Sequence, residues 1–509
     1  KLDVNKLHRL PHGVTLPPLQ GQLQLQASIT ENERGPSGEG RLTLERASIK
    51  RFGLGERVVI DFEGDGERIS FEGFTSLIRQ GGRLELRGEL GLQETLPLDL
   101  RVEVDRLIFA VLMEQLSITP DAIVNWTLGG EFALHGTLNP FSLAGPLSMP
   151  TRDFRVTVDA WHRTPPRRVI GVSSASLKGK VRVNQTGIHL ENMRVALPRS
   201  NLRADVLLGF DDRLRVKGRS AKLELAECTP LIDLSLKGGV GFTIDVGGTF
   251  MKPVVAGHID AEGFVLDGFP LGDLGSDFHL EKDNQAVRFP EVEGRKRDSR
   301  FRVADLFLDF TDGHFAASGV LHAQQMTLED FFHILGVDQD ERYTDYRGAF
   351  AGLARVHYTL GFPGDSPSGT LRAELDLELP ELTVGRLAFS EGRLHGDLTW
   401  LDHNQGYRTA ELRLERLSLK KGGGTVNISG RMKLGGELEM VAVADRIDLD
   451  HIEPFAEAAP TLHGTLGMTG TVGGTAEIPR YDFDVLIAGL GWQGRPLGDG
   501  RFYLRLADR

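Results

Sequence analysis

The sequence predicts a mostly β protein: an elongated, repeat-built antiparallel sheet with one short helix in each repeat of about 113 residues. Three observations predict it. A glycine–proline punctuation returns at nearly constant intervals. Long stretches alternate strictly between apolar and charged residues. Short segments of helical spacing interrupt that alternation once per interval.

The punctuation comes first, because a fixed period decides the architecture before any single element does. "GGEFALHGTLNPFSLAG" carries Pro140, and "GVGFTIDVGGTFMKPVVAG" carries Pro253. "GLARVHYTLGFPGDSPSGTLRAEL" carries Pro367, and "GTLGMTGTVGGTAEIPRYDFDV" carries Pro479. These prolines are 113, 114 and 112 residues apart. A looser first copy is "GVTLPPLQGQLQLQ", around Pro17 and Pro18. The period divides the chain into residues 1–128, 129–238, 239–347 and 348–463, with 464–509 the start of a further, truncated copy. No Pro/Ser-rich linker separates these stretches, and a period this long is not the short coil of a parallel β-helix.

The sheet follows from the alternation. Leu96, Leu98, Leu100, Val102 and Val104 are apolar, with Asp99, Arg101 and Glu103 among them. Leu202, Ala204, Val206 and Leu208 alternate in the same way, as do Phe242, Ile244 and Val246. Leu371, Ala373, Leu375, Leu377 and Leu379 are separated by Arg372, Glu374, Asp376 and Glu378. A period of two places every second side chain on one face of a sheet, so one face is apolar and the other charged. Gly-rich pauses such as "RQGGRLELRGEL" and "KKGGGTVNISG" read as turns between antiparallel neighbours. At roughly 12 residues per strand and turn, the chain would hold about 40 strands, stacked ~4.8 Å apart over a length on the order of 200 Å.

The helices are predicted where that spacing changes. "VEVDRLIFAVLMEQL" ends at Leu116, "SAKLELAECTPLI" at Ile232, "AQQMTLEDFFHILG" at Gly336 and "ADRIDLDHIEPFA" at Ala456. In the third, Thr327 is placed to cap a turn of helix carrying Phe331, Phe332 and Leu335 on one face.

Composition excludes several functions. The net charge of -12 argues against a nucleic-acid partner and against simple adhesion to anionic lipid surfaces. The one basic run, Arg295, Lys296, Arg297, Arg300 and Arg302, reads as a solvated turn, or more sharply as a contact for an anionic headgroup or polymer. Cys228 is the single cysteine, which rules out an internal disulfide and fits a small buried apolar residue. HExxH, P-loop, G-x-S-x-G and CxxC patterns are absent, so no enzyme, cofactor or metal site is predicted. His8 and His12 flank Pro11 and are loop residues. "DFEGDGE" and "DQDERYTD" lack the spacing and glycine of a calcium loop. No apolar run approaches the ~20 residues that span a bilayer. The chain opens in mid-pattern and closes still alternating, so both ends read as cut from something longer.

Laid out by its repeats, the chain resembles the TamB family, the translocation-and-assembly-module subunit, within the AsmA-like group related to bridge-type lipid transfer proteins. The Gly-Thr-x-x-x-Pro-x-x-x-Gly punctuation of "GGTFMKPVVAG" carries the resemblance, with "GTLNPFSLAG" and "GGTAEIPRYDF" as weaker forms. The "DRLIFAVL" and "DRIDLDHI" segments, at Asp105 and Asp445, add to it. The resemblance implies a sheet curled into an open, taco-like groove with an apolar lining. It implies a periplasmic protein of a double-membrane bacterium, held in the inner membrane by an N-terminal anchor that this chain lacks. It further implies phospholipid acyl chains as cargo and an outer-membrane partner of the barrel-assembly type.

The expected function is therefore a non-enzymatic conduit that moves phospholipids between inner and outer membranes along a hydrophobic groove. The alternative is a periplasmic assembly chaperone for outer-membrane or secreted β-barrel proteins. A mechanical spacer would need no apolar lane. Alternation by itself also suits a filled sandwich or barrel; the period without linkers and the resemblance favour an open groove. The seventeen alternating apolar residues named above are its expected lining.

Overall fold

The computed structural model describes residues 2–3, 19–32, 35–49, 52–77, 82–108, 122–158, 167–227, 236–250, 252–266, 269–281, 285–309, 315–336, 338–339, 343–361, 368–401, 409–433, 436–475 and 478–506. Strands make up 83% of the structure, in antiparallel sheet that is not closed into a barrel. The chain forms two compact units, Lys1–Ile259 and Asp260–Arg509.

The first unit is a meander. Its strands are β1 (Leu2–Asp3), β2 (Leu19–Asn32), β3 (Gly35–Ile49), β4 (Phe52–Gly64), β5 (Arg68–Leu77), β6 (Gly82–Gly91) and β7 (Pro97–Ile108). They continue as β8 (Ala122–Leu138), β9 (Phe141–Val158), β10 (Arg167–Asn184), β11 (Gly187–Ala196), β12 (Asn201–Gly209), β13 (Leu214–Glu224) and β14 (Leu236–Thr249). Each pairs antiparallel with the next. The chain passes from one unit to the other within β15 (Lys252–Leu266).

The second unit repeats the plan. Its strands are β16 (Phe269–Glu281), β17 (Ala286–Lys296), β18 (Ser299–Asp309), β19 (Phe315–Thr327), β20 (Tyr346–Gly361) and β21 (Ser368–Val384). The short β22 (Leu387–Phe389) and then β23 (Glu391–Leu401) both return along β21. β24 (Ala410–Lys421), β25 (Gly424–Lys433), β26 (Leu438–Asp448), β27 (Leu462–Gly474), β28 (Pro479–Trp492) and β29 (Arg495–Leu506) complete it. Among the described residues there are 29 strands, where about 40 are expected for the whole chain. Individual strands run to 18 residues, longer than the roughly 12 residues expected for a strand and its turn.

Helical segments stand where the spacing changes, after β13, β19 and β26. A 3₁₀ turn covers Leu225–Glu227. α1 (Leu328–Leu335) is capped by Thr327, whose hydroxyl accepts from the Asp330 amide, and ends at Gly336 with φ 69°. A second 3₁₀ turn, Leu449–His451, leads into α2 (Glu453–Ala458). Residues 109–116 of the segment ending at Leu116, and Cys228, His8, His12, Pro17 and Pro18, lie outside the described residues. In α1, Phe331 packs edge-on against Phe350, while Phe332 packs against Tyr343.

Two further features recur. β7, β13, β19 and β26 each carry a bulge toward the following strand, at Val104/Leu107, Ser220/Leu223, Ala323/Met326 and Ala444/Ile447. A bulge bends a strand and increases its twist. Pro140, Pro253 and Pro479 stand at the start of a hairpin's returning strand, β9, β15 and β28. Pro367 comes immediately before β21, outside the described residues. The expected boundaries at 128/129, 238/239, 347/348 and 463/464 fall inside β8, β14, β20 and β27, so no linker marks them.

Burial is one-sided. From Leu202 to Leu208 of β12 and Leu214 to Arg219 of β13 the charged residues are exposed, and the apolar residues between them are only half-buried. Among the described residues, the largest side chains below 2% exposure are Leu449, Thr151, Ser200 and Ser299. Only Leu449 of these is apolar. A sandwich core would hold many wholly buried large apolar side chains, because two sheets cover each other.

Candidate functional site

The register converts single-strand alternation into rows that run across the sheet. Directly opposed residues of antiparallel strands point to the same face. In the first unit one row runs from β2 to β13 through Ile29, Gly38, Gly64, Ile69, Leu90, Leu98, Gly136, Leu143, Val183, Ile188, Leu208 and Leu214. In the second, a row runs from β16 to β29 through Leu274, Gly294, Phe301, Ala323, Gly352, Leu377, Leu394, Leu417, Ile428, Ala442, Gly470, Phe483 and Leu504. Neither row contains a polar side chain. The row beside the second passes through Ala354, Leu375, Gly396, Leu414, Gly430, Met440 and Val472.

The sequence-predicted lining residues fall on these faces with one exception. Leu98, Leu100, Val102 and Val104 oppose Leu90, Gly88, Leu86 and Leu84 on β6. Val102 and Val104 pack with Leu147, Met149, Leu177 and Met193. Leu202 and Phe242 share one row through Ser220, Ala204 and Ile244 another through Gly218, and Val206 and Val246 a third through Val216. Leu208 and Leu377 belong to the long rows. Leu371, Ala373 and Leu379 oppose Trp400, Leu398 and Gly392. Leu96 is the exception: it precedes β7 in a turn with φ 49°, and its carbonyl accepts from the Leu138 amide. The alternation extends through Leu96, but the β6–β7 turn claims it before the strand begins.

Large side chains lie over glycines along the rows. Phe62 covers Gly40, Phe71 covers Gly88 and Phe301 covers Gly294 closely enough that a Cβ there would collide with each ring. Gly294→Ala is therefore expected to displace Phe301 and to destabilise the second unit by about 1–3 kcal/mol, as overpacking does. Urea denaturation followed by circular dichroism measures it. An unchanged midpoint would show that the ring moves aside freely.

The charged face has its own organisation, which sequence reasoning missed. A shallow trough of about 1160 Å³ crosses β2 to β8 on that side. Its walls hold the cross-strand pairs Arg41–Asp61 at 2.5 Å, Arg87–Glu72 at 3.0 Å and His135–Asp99 at 2.5 Å. The hydrogen bond and charge of Arg41 hold the Asp61 carboxyl below the usual carboxylate range. A second hollow of about 560 Å³ lies among Arg194, Arg203, Asp205, Lys217, Arg219 and Asp245. Opposite charges at facing positions are the signal, and it is readable only once register is known.

Three polar contacts pin the helical segments to a neighbouring hairpin turn. Ser200 donates to Glu227 at 2.5 Å and accepts from the Glu224 amide. Ser299 donates to Asp330 at 2.6 Å and accepts from the Thr327 amide. Lys421 donates to Glu453 at 2.7 Å and to the Ala388 carbonyl at 2.6 Å. Above them, Leu328 and Phe331 of α1 pack on the cluster of Phe301, Met326, Phe350, Leu379 and Leu419. Leu449 and Ile452 join Ala444 and Ile447. The helical segments thus lie against the apolar face at the ends of the strands.

The remaining polar candidates are absorbed locally. In the basic run, Arg295 pairs with Asp273, Arg297 with Asp330 and Arg302 with Glu291. Burial and the Arg297 charge push the Lys296 ammonium below the usual lysine range. Asp65 of "DFEGDGE" accepts from the Glu67 and Arg68 amides and closes the β4–β5 turn. Asp338 of "DQDERYTD" contacts His333 and Gln339. Asp448, Asp450 and His451 could bring three ligand atoms together for a metal. Asp448 already accepts from the Gly423 amide at 3.0 Å.

In the second unit, rings from strands far apart in pairing order meet. Phe269 of β16 and Trp400 of β23 meet edge-on, with ring centroids 5.9 Å apart and planes at 88°. β17, β18, β19, β20 and β21 lie between them in pairing order. No helix among the described residues is long and apolar enough to cross a membrane. No family model, curated protein or solved structure matches this chain.

Proposed function

We propose that this chain is a non-enzymatic, bridge-like conduit for phospholipid, with acyl chains lying along the apolar face and headgroups in water. The observation that carries the reading is the continuity of the apolar rows from β2 to β13 and from β16 to β29. A phospholipid tail exposed to water costs ~0.8 kcal/mol per CH₂, on the order of 12 kcal/mol for sixteen carbons. A row whose positions are all apolar removes most of that cost at each step and offers no deep trap. Several row residues, among them Leu98, Leu377, Leu394 and Leu417, are only half-buried, which supports the same reading.

The finer parts of the reading belong to the proposal. The turn prolines and the pinned helical segments support a repeat of about 113 residues. The meeting of Phe269 and Trp400 in the second unit supports a taco-like groove. Membership of the TamB family, a periplasmic location, an inner-membrane anchor and an outer-membrane barrel-assembly partner rest on sequence punctuation alone.

Mass spectrometry of the purified chain tests the conduit directly. Phospholipid is expected to co-purify at several molecules per chain. A chain that carries none, yet binds peptides of alternating pattern, would be an assembly chaperone and the conduit would be wrong.

A further inference from the structure

We propose that Phe269 and Trp400 form a constriction in the apolar face of the second unit, which narrows the path of an acyl chain and slows its passage. The inference rests on the conduit reading and adds the place where passage is slowest.

β16 and β23 are separated by β17, β18, β19, β20 and β21, and six inter-strand steps of about 4.8 Å would hold them roughly 29 Å apart in a flat sheet. Their rings are nevertheless in contact at 5.9 Å. The sheet is therefore not flat between them. Trp400 belongs to the apolar face, because it opposes Leu371 on β21 and Ala410 on β24. It is 5% exposed, whereas Leu371 and Leu398 on the same face are only half-buried. The Phe269 ring is part of what covers Trp400.

An edge-to-face pair suits a point that opens and recloses. The contact between the two rings is one of packing, and a hydrocarbon tail can take the place of one ring against the other. The Leu377 and Leu375 rows run past the pair unbroken, so the pair narrows the lane without ending it.

The test reads Trp400 itself. A full chain with Trp126→Phe, Trp161→Phe and Trp492→Phe keeps Trp400 as its single indole. It is mixed with vesicles of phosphatidylcholine carrying brominated acyl chains, which quench indoles they touch. Trp400 fluorescence is expected to fall as lipid is taken up, and Phe269→Ala is expected to speed the fall by about 2- to 10-fold, the factor that one aromatic pair contributes.

A second variant guards against simple unfolding. Phe269→Cys/Trp400→Cys in a Cys228→Ser background, bridged by a short bismaleimide, is expected to take up lipid at least about tenfold more slowly than the same protein capped with a monofunctional maleimide. Circular dichroism checks that both forms stay folded. Lipid uptake by mass with Trp400 unquenched, or equal rates with and without the bridge, would overturn the constriction and leave the conduit standing. No uptake by any variant would overturn the conduit itself.

Discussion

Leu375→Arg is expected to cut lipid carriage to less than about a tenth while the protein remains folded, since a tenfold change needs only ~1.4 kcal/mol. Leu375 lies between Ala354 and Gly396 in a row that is apolar from strand to strand. A guanidinium placed there must stay solvated, so it holds water where a tail would slide. Stripping that water costs several kcal/mol, because an unpaired charge loses far more hydration than a methylene gains. Every tail using the row meets the same obstacle. Folding survives for a separate reason: Leu375 is half-buried, so an arginine stem can lie along the sheet with its head turned to water.

The readouts are co-purifying phospholipid for this chain and lipid movement between membranes in cells carrying the full-length parent. Glu374→Gln provides the control. Glu374 is on the charged face, in an exposed pair with Arg355 at 3.4 Å, and such pairs contribute little. Carriage should be unchanged by it. A folded Leu375→Arg chain that carries lipid normally would show that the apolar face is not the path.

Glu453→Ala is expected to destabilise the second unit by about 2–4 kcal/mol, a large part of a typical unit's stability. The Lys421 side chain is 5% exposed and its charge is answered by Glu453 at 2.7 Å. Without Glu453, the ammonium keeps the Ala388 carbonyl and its place over the Phe389 ring, but its counter-charge is gone. The expected loss falls at the lower end for a buried pair because Glu453 itself is 34% exposed. Replacing both partners, Lys421→Met with Glu453→Leu, should recover most of the loss.

The same pair sets a pH dependence. Burial works to raise the Glu453 pKa, but the Lys421 hydrogen bond and charge, with the Glu453 and Ala388 amides, outweigh it and hold the carboxyl below its ordinary 4.5. A carboxyl depressed in the folded state binds fewer protons there than in the unfolded chain. Its stabilisation is thus complete above pH 4.5 and is lost as the pH falls through the folded value. Denaturation midpoints of the parent should fall on acidification below that point, and those of Glu453→Ala should fall less. Equal slopes would show that the pair contributes nothing to acid sensitivity.

Much of this molecule is local in the chain. Period two in Leu98, Leu100, Val102 and Val104 specifies a strand with one apolar face, because successive side chains point opposite ways whatever surrounds them. Thr327 before Leu328 specifies a helix start for a similarly local reason: its hydroxyl reaches the Asp330 amide three residues on. The sequence by itself therefore determined the strands, the side of each that is apolar, and the helical interruptions.

The tertiary structure alone decided how those pieces meet. Leu96 shares the apolar spacing of β7, yet the turn takes it. That Leu377 continues into Leu394 and Leu417 depends on register, which hairpin geometry and bulges set between strands. Lys421 with Glu453, Ser299 with Asp330 and Phe269 with Trp400 join residues about 30 to 130 positions apart, and no spacing rule links residues that far along a chain. The physical reason is range: dihedral preferences and side-chain direction act over a few residues, whereas curl, pinning and closure sum small twists and bulges over many strands.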